Sequence, residues 1–305
     1  MEKKGFLQIP FSWVFAIIVG IFILFLAIYF SVKMLGSGNL EIDTATARQI
    51  EVLMNPLETS FESGKTTTMI LPSETRIYNK CDNAGNFGTQ IIQVSQKSFN
   101  KWSEPGLDIS SKNKYIFSDG IVEGKKFYLF SVPFEYPFKI ANLIILTSKE
   151  YCFLDAPDEI EDEIVQENVV FENYEEDCPA ESVKVCFMEG SDCDIEVNIG
   201  QENVEKDGEK LYFTGNLIYG AIFSDKEIYE CEVKRIMQRT EQLASLYWDK
   251  ASFVGQRVCI SGLTADLLVL KNSAKDVESS SNLDLTDIIV EQINGKKEFE
   301  ECEVF

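Results

Sequence analysis

The sequence predicts an α+β protein: a single N-terminal transmembrane helix, a mixed β-sheet ectodomain and a helical C-terminal part. Three observations predict it. An uncharged apolar run fills residues 11–32, and short β-branched and aromatic runs broken by Gly, Pro and Asn follow from Thr66 to about Thr214. Apolar spacing of three and four residues then dominates the last ninety residues. These shifts divide the chain into a cytoplasmic N-terminus over 1–9, a transmembrane helix over 10–35, a stalk helix over 36–63, a β-rich mixed domain over 64–215 and a helical C-terminal part over 216–305.

The first element is justified by length. The 22 residues from Phe11 to Val32 carry no charge, and as a helix they extend roughly 33 Å, against a hydrocarbon core of about 30 Å. Pro10 suits a first helical turn, and Trp13 and Tyr29 stand near the two ends, where interfacial aromatics belong. A secretory signal has a shorter apolar region followed by a small-x-small cleavage site, whereas Val32, Lys33, Met34 and Leu35 follow here. The run therefore reads as a retained span. Lys3, Lys4 and the terminal amine precede it, and all eight cysteines follow it, which together place the N-terminus inside and the C-terminal domain on the extracytoplasmic side of the cell membrane. Membrane lipid is then an obligate partner. Ser12, Ala16 and Gly20 recur every four residues, a small-xxx-small face on which a protein partner or a second copy could pack to form a homo-oligomer.

Beyond the span, Gly36-Ser37-Gly38 predicts a helix break at the membrane face. Ile42, Ala45, Ile50, Leu53, Met54 and Leu57 then give a loose apolar stripe for the stalk, with an interruption at Pro56. Strands are expected at TTTMIL, TQIIQVSQKSF, KFYLFSV, FKIANLIILT, NVVFE, SVKVCFM, DIEVNI and KLYFTG. Phe138–Thr147, the acidic stretch after Leu154 and Asn168–Phe171 together read as a strand–helix–strand crossover. In the C-terminal part, Ser224 and Glu227 form a capping box ahead of a stripe of Tyr229, Val233, Ile236, Thr240, Leu243, Tyr247 and Ala251. Two further helices are expected over 263–277 and 285–293.

Composition limits function more than it reveals it. Net charge is −22 with 50 acidic residues, which repels nucleic-acid phosphates and argues against nucleic-acid binding. Histidine is absent, which removes the usual proton shuttle, the commonest metal ligand and the base of most nucleophilic triads. No asparagine stands in an N-x-Ser/Thr acceptor. The stretch Asp155–Asp177 holds eleven carboxylates but no D-x-D-x-D-G turn to gather oxygens around calcium, so it reads chiefly as a solvated face. Ser63–Thr66 lacks the first glycine of a phosphate loop, and the S-x-x-K matches at Ser98–Lys101 and Ser111–Lys114 lack companion motifs. No catalytic residue or cofactor is assigned.

Cys81, Cys152, Cys178, Cys186, Cys193, Cys231, Cys259 and Cys302 are disulfide candidates, an even set in an acidic ectodomain. The spacings of eight and seven from Cys178 to Cys193 are too wide for metal knuckles or a redox pair. Cys231 lies on the polar side of its helix, so a covering segment should supply its partner, with Cys259 or Cys302 as candidates.

KKGFLQIPF ahead of the apolar helix resembles the N-terminus of type IV prepilins, which would place a cut between Gly5 and Phe6. The pattern departs at Pro10, where bacterial pilins carry glutamate, and at the expected glycine break. LPSETRIYNKCDN at 71–83 and GNLIYGAIFSDKEIYECEVKRIMQRTEQLA at 215–244 resemble uncharacterised single-span membrane proteins of small-genome archaea, a likeness that brings no activity with it. The sequence thus reads as a membrane-anchored extracytoplasmic structural or interaction protein with an acidic, disulfide-stabilised ectodomain. The alternatives are a pilin-like filament subunit processed after Gly5, a surface hydrolase using carboxylates or a metal, and a cytosolic domain on an inverted anchor.

Overall fold

A computed structural model describes residues 11–59, 65–98, 100–187, 193–255, 262–297 and 304–305. Its first element is one uninterrupted helix, α1 (Phe11–Leu53), 43 residues and about 65 Å long. The break expected at Gly36–Gly38 is not there, because glycine only weakens a helix, by about 1 kcal/mol each, and does not remove a backbone hydrogen bond. The segment Phe11–Ser31 is long and apolar enough to cross a membrane and is wholly unburied in the structure. A short helix, α2 (Asn55–Thr59), follows directly.

The second half of α1 lies on a β-sheet. Sheet one has seven strands: β1 (Lys65–Asp82), β2 (Thr89–Ser98), β3 (Lys101–Trp102), β4 (Ile109–Ser111), β5 (Tyr115–Phe117), β6 (Ile121–Glu135) and β7 (Lys139–Thr147). They run in the order β3-β2-β1-β6-β7-β5 with β4 on β2, antiparallel except where β5 pairs with β7. Because successive side chains in a strand point to opposite faces, one strand can serve two cores. In β6, Phe127 and Leu129 join Ala47, Ile50, Met54 and Leu57 of the helical side. Phe130, Val132 and Phe134 point the other way, into the larger core. β7 does the same with Ile144 and Leu146 on one side and Leu143 and Ile145 on the other. That is why FKIANLIILT reads as a continuous apolar run rather than an alternating one.

The larger core is shared with sheet two: β8 (Tyr151–Leu154), β9 (Val169–Glu172), β10 (Val183–Cys186), β11 (Ile195–Asn198), β12 (Asn203–Lys206) and β13 (Glu209–Tyr212), in the order β13-β12-β11-β10-β8-β9. The predicted crossover exists with α3 (Asp158–Glu163) at its centre, but it joins β8 to β9 in parallel. Phe138–Thr147 lies in the other sheet. The tetrapeptide YCFL at 151–154 is too short to announce a strand, yet it is buried at all four positions.

Four helices complete the fold: α4 (Leu217–Phe223), α5 (Lys226–Gly255), α6 (Thr264–Asp276) and α7 (Asp284–Lys297). The predicted stripe of α5 enters the larger core at Tyr229, Val233, Ile236 and Ala251. The capping box does not form. Ser224 ends α4, and its hydroxyl donates to the Gly220 carbonyl, while Asp225 caps α5 by accepting from the Ile228 backbone N–H at 3.2 Å. An adjacent Asp in the same turn outcompetes the Ser that the motif singles out.

Gly106 shows how closely α1 is seated. A Cβ there would meet the Thr44 backbone nitrogen at 2.8 Å and the Asp43 carbonyl carbon at 3.0 Å, atoms that cannot swing aside. Gly106→Ala should therefore destabilise the folded state by about 1–3 kcal/mol in denaturant titration. Gly295→Ala, on α7 with open space around it, should stabilise by about 0.5–1 kcal/mol.

Candidate functional site

The region with the most specific chemistry among the described residues is the junction where α1 and α2 dock on sheet one. Apolar contact supplies the area, and buried polar groups set the register. Asp43 is buried and accepts from Ser103 Oγ at 2.5 Å. Thr44 Oγ1 accepts from the Leu107 N–H at 3.0 Å, and Thr46 Oγ1 accepts from Gln96 Nε2 at 2.9 Å. Asn142 Nδ2 donates to the Leu57 carbonyl at 2.8 Å. Lys114, only 3% exposed, meets Glu51 at 3.2 Å, Glu58 at 3.1 Å and the Asn55 side-chain oxygen at 2.7 Å. Desolvation raises the Asp43 carboxyl above its ordinary range, against the lowering effect of its Ser103 and Gln96 hydrogen bonds.

A second polar seam fixes α5 to the opposite face of sheet one. Arg235 and Glu232 are both fully buried and pair at 2.8 Å. The guanidinium also donates to the carbonyls of Lys114 at 3.0 Å and Lys112 at 3.1 Å, and lies 4.7 Å over the Tyr115 ring. Burial raises the Glu232 carboxyl even beside its cation. Cys231 stands one turn before Arg235 and Gln238 one turn after, and Gln238 donates to the Asn83 carbonyl at 2.9 Å. The side of α5 that reads as solvated is a packed polar interface.

Cys231 pairs with Cys81 at the end of β1, at a Cα separation of 6.0 Å, not with Cys259 or Cys302. Periodicity shows which side of the helix a thiol faces but not which distant strand lies opposite. Cys152 pairs with Cys178 and Cys186 with Cys193, with Cα separations of 5.7 and 6.1 Å inside the disulfide range. Cys259 and Cys302 lie outside the described residues, as does the Gly5–Phe6 bond. Ser12, Ala16 and Gly20 all lie on the exposed part of α1, and nothing comes within 4 Å of a Cβ built at Gly20.

A cleft of about 590 Å³ includes Asp119, Lys149, Tyr151, Lys184, Asp194, Lys206 and Asp225 in its lining. It opens at the amino ends of the parallel strands β8, β10 and β11, whereas open α/β sheets bind ligands beyond the carboxyl ends. Its polar groups are engaged in structure. Lys206 Nζ caps the C-terminus of α4, donating to the carbonyls of Ala221 at 2.7 Å, Ile222 at 3.2 Å and Ser224. Burial pushes this ammonium down to about 8, against the raising effect of the nearby Asp119 and Asp225 carboxylates. Asp119 pairs with Lys149 at 2.6 Å, Asp225 accepts the Gly120 N–H at 2.6 Å, and Asp194 accepts the Lys184 N–H at 2.9 Å.

The acidic stretch is likewise partly committed. Glu163 accepts from Tyr219 at 2.5 Å, Glu167 pairs with Lys126 at 2.8 Å, and Glu175 pairs with Lys184. Among the described residues no group of three or more His, Cys, Asp or Glu side chains is arranged to hold a metal ion. No family model matches the chain, and no similar curated protein or solved structure was found.

Two outcomes follow from this geometry. Peptide mapping without reductant should recover the 81–231 link, and replacing both cysteines by Ser should cost about 2–4 kcal/mol of stability. The folded state also holds the Asp43 proton more tightly than the unfolded chain. Its contribution is therefore present in acid and lost as pH rises through the raised pKa. Asp43→Asn, which keeps an acceptor for Ser103, should flatten that portion of a pH–stability curve.

Proposed function

We propose that this chain is a membrane-anchored extracytoplasmic structural or interaction protein, with α1 crossing the bilayer N-terminus first and presenting an acidic, disulfide-braced body. One observation carries the reading: a single helix leaves an apolar stretch of 21 residues wholly unburied and then buries its far half on a sheet. In water such a stretch would expose a patch far larger than soluble monomers tolerate, whereas in lipid it is at its lowest cost. Three cysteine pairs at bonding distance support an oxidising compartment. Chemistry on a substrate has less support, because the carboxylates of the cleft around Lys206 serve largely as caps and ion-pair partners.

The uninterrupted α1 favours a pilin-like subunit as the second reading. The expected break that set this chain apart from a continuous pilin helix is not present. In that reading Ser12, Ala16 and Gly20 face other copies, and the chain is cut after Gly5.

Thiol labelling in intact cells tests the topology. A membrane-impermeant maleimide should find no reactive cysteine until reductant is added, and then label the ectodomain. Labelling that needs permeabilisation but no reductant would reverse the assignment. A mature N-terminus beginning at Phe6 would select the pilin-like form.

A further inference from the structure

We propose that Lys114 and Asn55 join in an intramolecular isopeptide bond that covalently fastens the base of the membrane helix to sheet one. The proposal goes beyond the anchoring role and does not depend on which side of the membrane the body occupies.

Lys114 immediately precedes β5, and Asn55 opens α2. Glu51, Asn55 and Glu58 follow one another at four- and three-residue steps, so all three face Lys114 from one side of the helical segment. An amine 2.7 Å from a carbonyl oxygen lies within about 4 Å of the carbon bonded to it. Met54 and Leu57, on either side of Asn55, and Ile116 of β5 are buried in the dry core under α1. Lys114 is thus held on the dry side of the junction while Asn55 sits at its exposed edge, and the fold keeps the two groups in contact, the orientation that favours an intramolecular amine over a free one.

The site also contains the proton acceptor the step requires. Glu58 is already held by the Asn113 side chain as well as by Lys114, so Glu51, at 3.2 Å, is the carboxylate assigned to take the Lys114 proton. The neutral amine adds its lone pair to the Asn55 side-chain carbonyl carbon, forming a C–N bond. The Glu51 carboxyl then returns a proton to the amide nitrogen, the original C–N bond breaks, and the departing ammonia takes up the surplus proton of the attacking nitrogen and leaves as ammonium. An ammonium and a carboxamide become a secondary amide and an ammonium ion. No oxidant, metal or cofactor is consumed.

Pro56 removes the main competing loss of ammonia. Asparagine ordinarily cyclises through the backbone N–H of the next residue, and proline has none. Asn55 therefore keeps its amide for Lys114.

The test is mass analysis of the full chain extracted from membranes, denatured and fully reduced, with the N-terminal peptide read separately so that processing is not confused with cross-linking. Wild type should weigh about 17 Da less than its sequence, and digestion should yield one branched peptide containing both Lys114 and Asn55. Lys114→Arg and Asn55→Ala should restore the full mass, and Glu51→Gln should leave the chain largely uncrosslinked. Recovery of unmodified Lys114 and Asn55 in separate linear peptides from the wild type would overturn the proposal without any variant. A bond that forms fully in Glu51→Gln would overturn the role of Glu51.

Discussion

The structure depends on one constraint: a single helix must satisfy two solvents. Along Phe11–Ser31 the backbone pairs within the helix beyond its first turn and none of the apolar side chains is buried, the condition a bilayer rewards. Twelve residues later the same helix carries Asp43, Ala47, Ile50 and Met54 into a buried interface. A helix continuous through both regimes transmits orientation, since it has no joint at which the body could turn freely. The face of sheet one that receives α1 is thereby fixed relative to the axis of the apolar segment, and in the proposed anchored form relative to the membrane.

That constraint explains why sheet one is buried on both faces. One face is taken by α1 and α2, so the remaining apolar strand residues must be covered from behind, and sheet two with α4 and α5 does this. Buried polar groups sit at both of these boundaries. Lys114 faces the α1 side with its side chain, while its backbone carbonyl accepts from Arg235 on the α5 side. The residue therefore links both layers. Buried charges of this kind stabilise little beyond their own desolvation, but leaving one unpaired is expensive, so they fix which surfaces meet more than how strongly.

The apolar span, the switch from period two to period 3.6 and the stripe of α5 were legible because each repeats over many residues. What stayed hidden was non-local. β5, β8 and β12 are three- or four-residue strands whose identity comes from neighbours distant in sequence. The 81–231 pairing spans 150 residues, and no spacing rule reaches that far. The glycines at 36 and 38 misled because a local weakness of about 1 kcal/mol each is small beside the cooperativity of a 43-residue helix. Ser224 misled because a motif match cannot see an adjacent residue in better geometry.

Glu51, Asn55 and Glu58 show the same limit from the functional side. In sequence they are three polar residues in a stalk with a loose apolar stripe, and Lys114 falls within one of two chance S-x-x-K matches. Only the fold brings the four together, and in the proposed anchored form it does so at the point where load on the body would pass to the membrane-spanning part of α1. In the proposed anchored form, a force pulling the body from the bilayer acts first on the interface between α1 and sheet one, because among the described residues sheet two and the C-terminal helices reach α1 through that interface and the residues following α2. The described disulfides brace the body behind this interface but do not cross it: each joins residues between 81 and 231. Non-covalent contact and the Lys114 cluster are therefore what resists separation there, which makes this junction the place where a covalent bond would have the greatest mechanical effect.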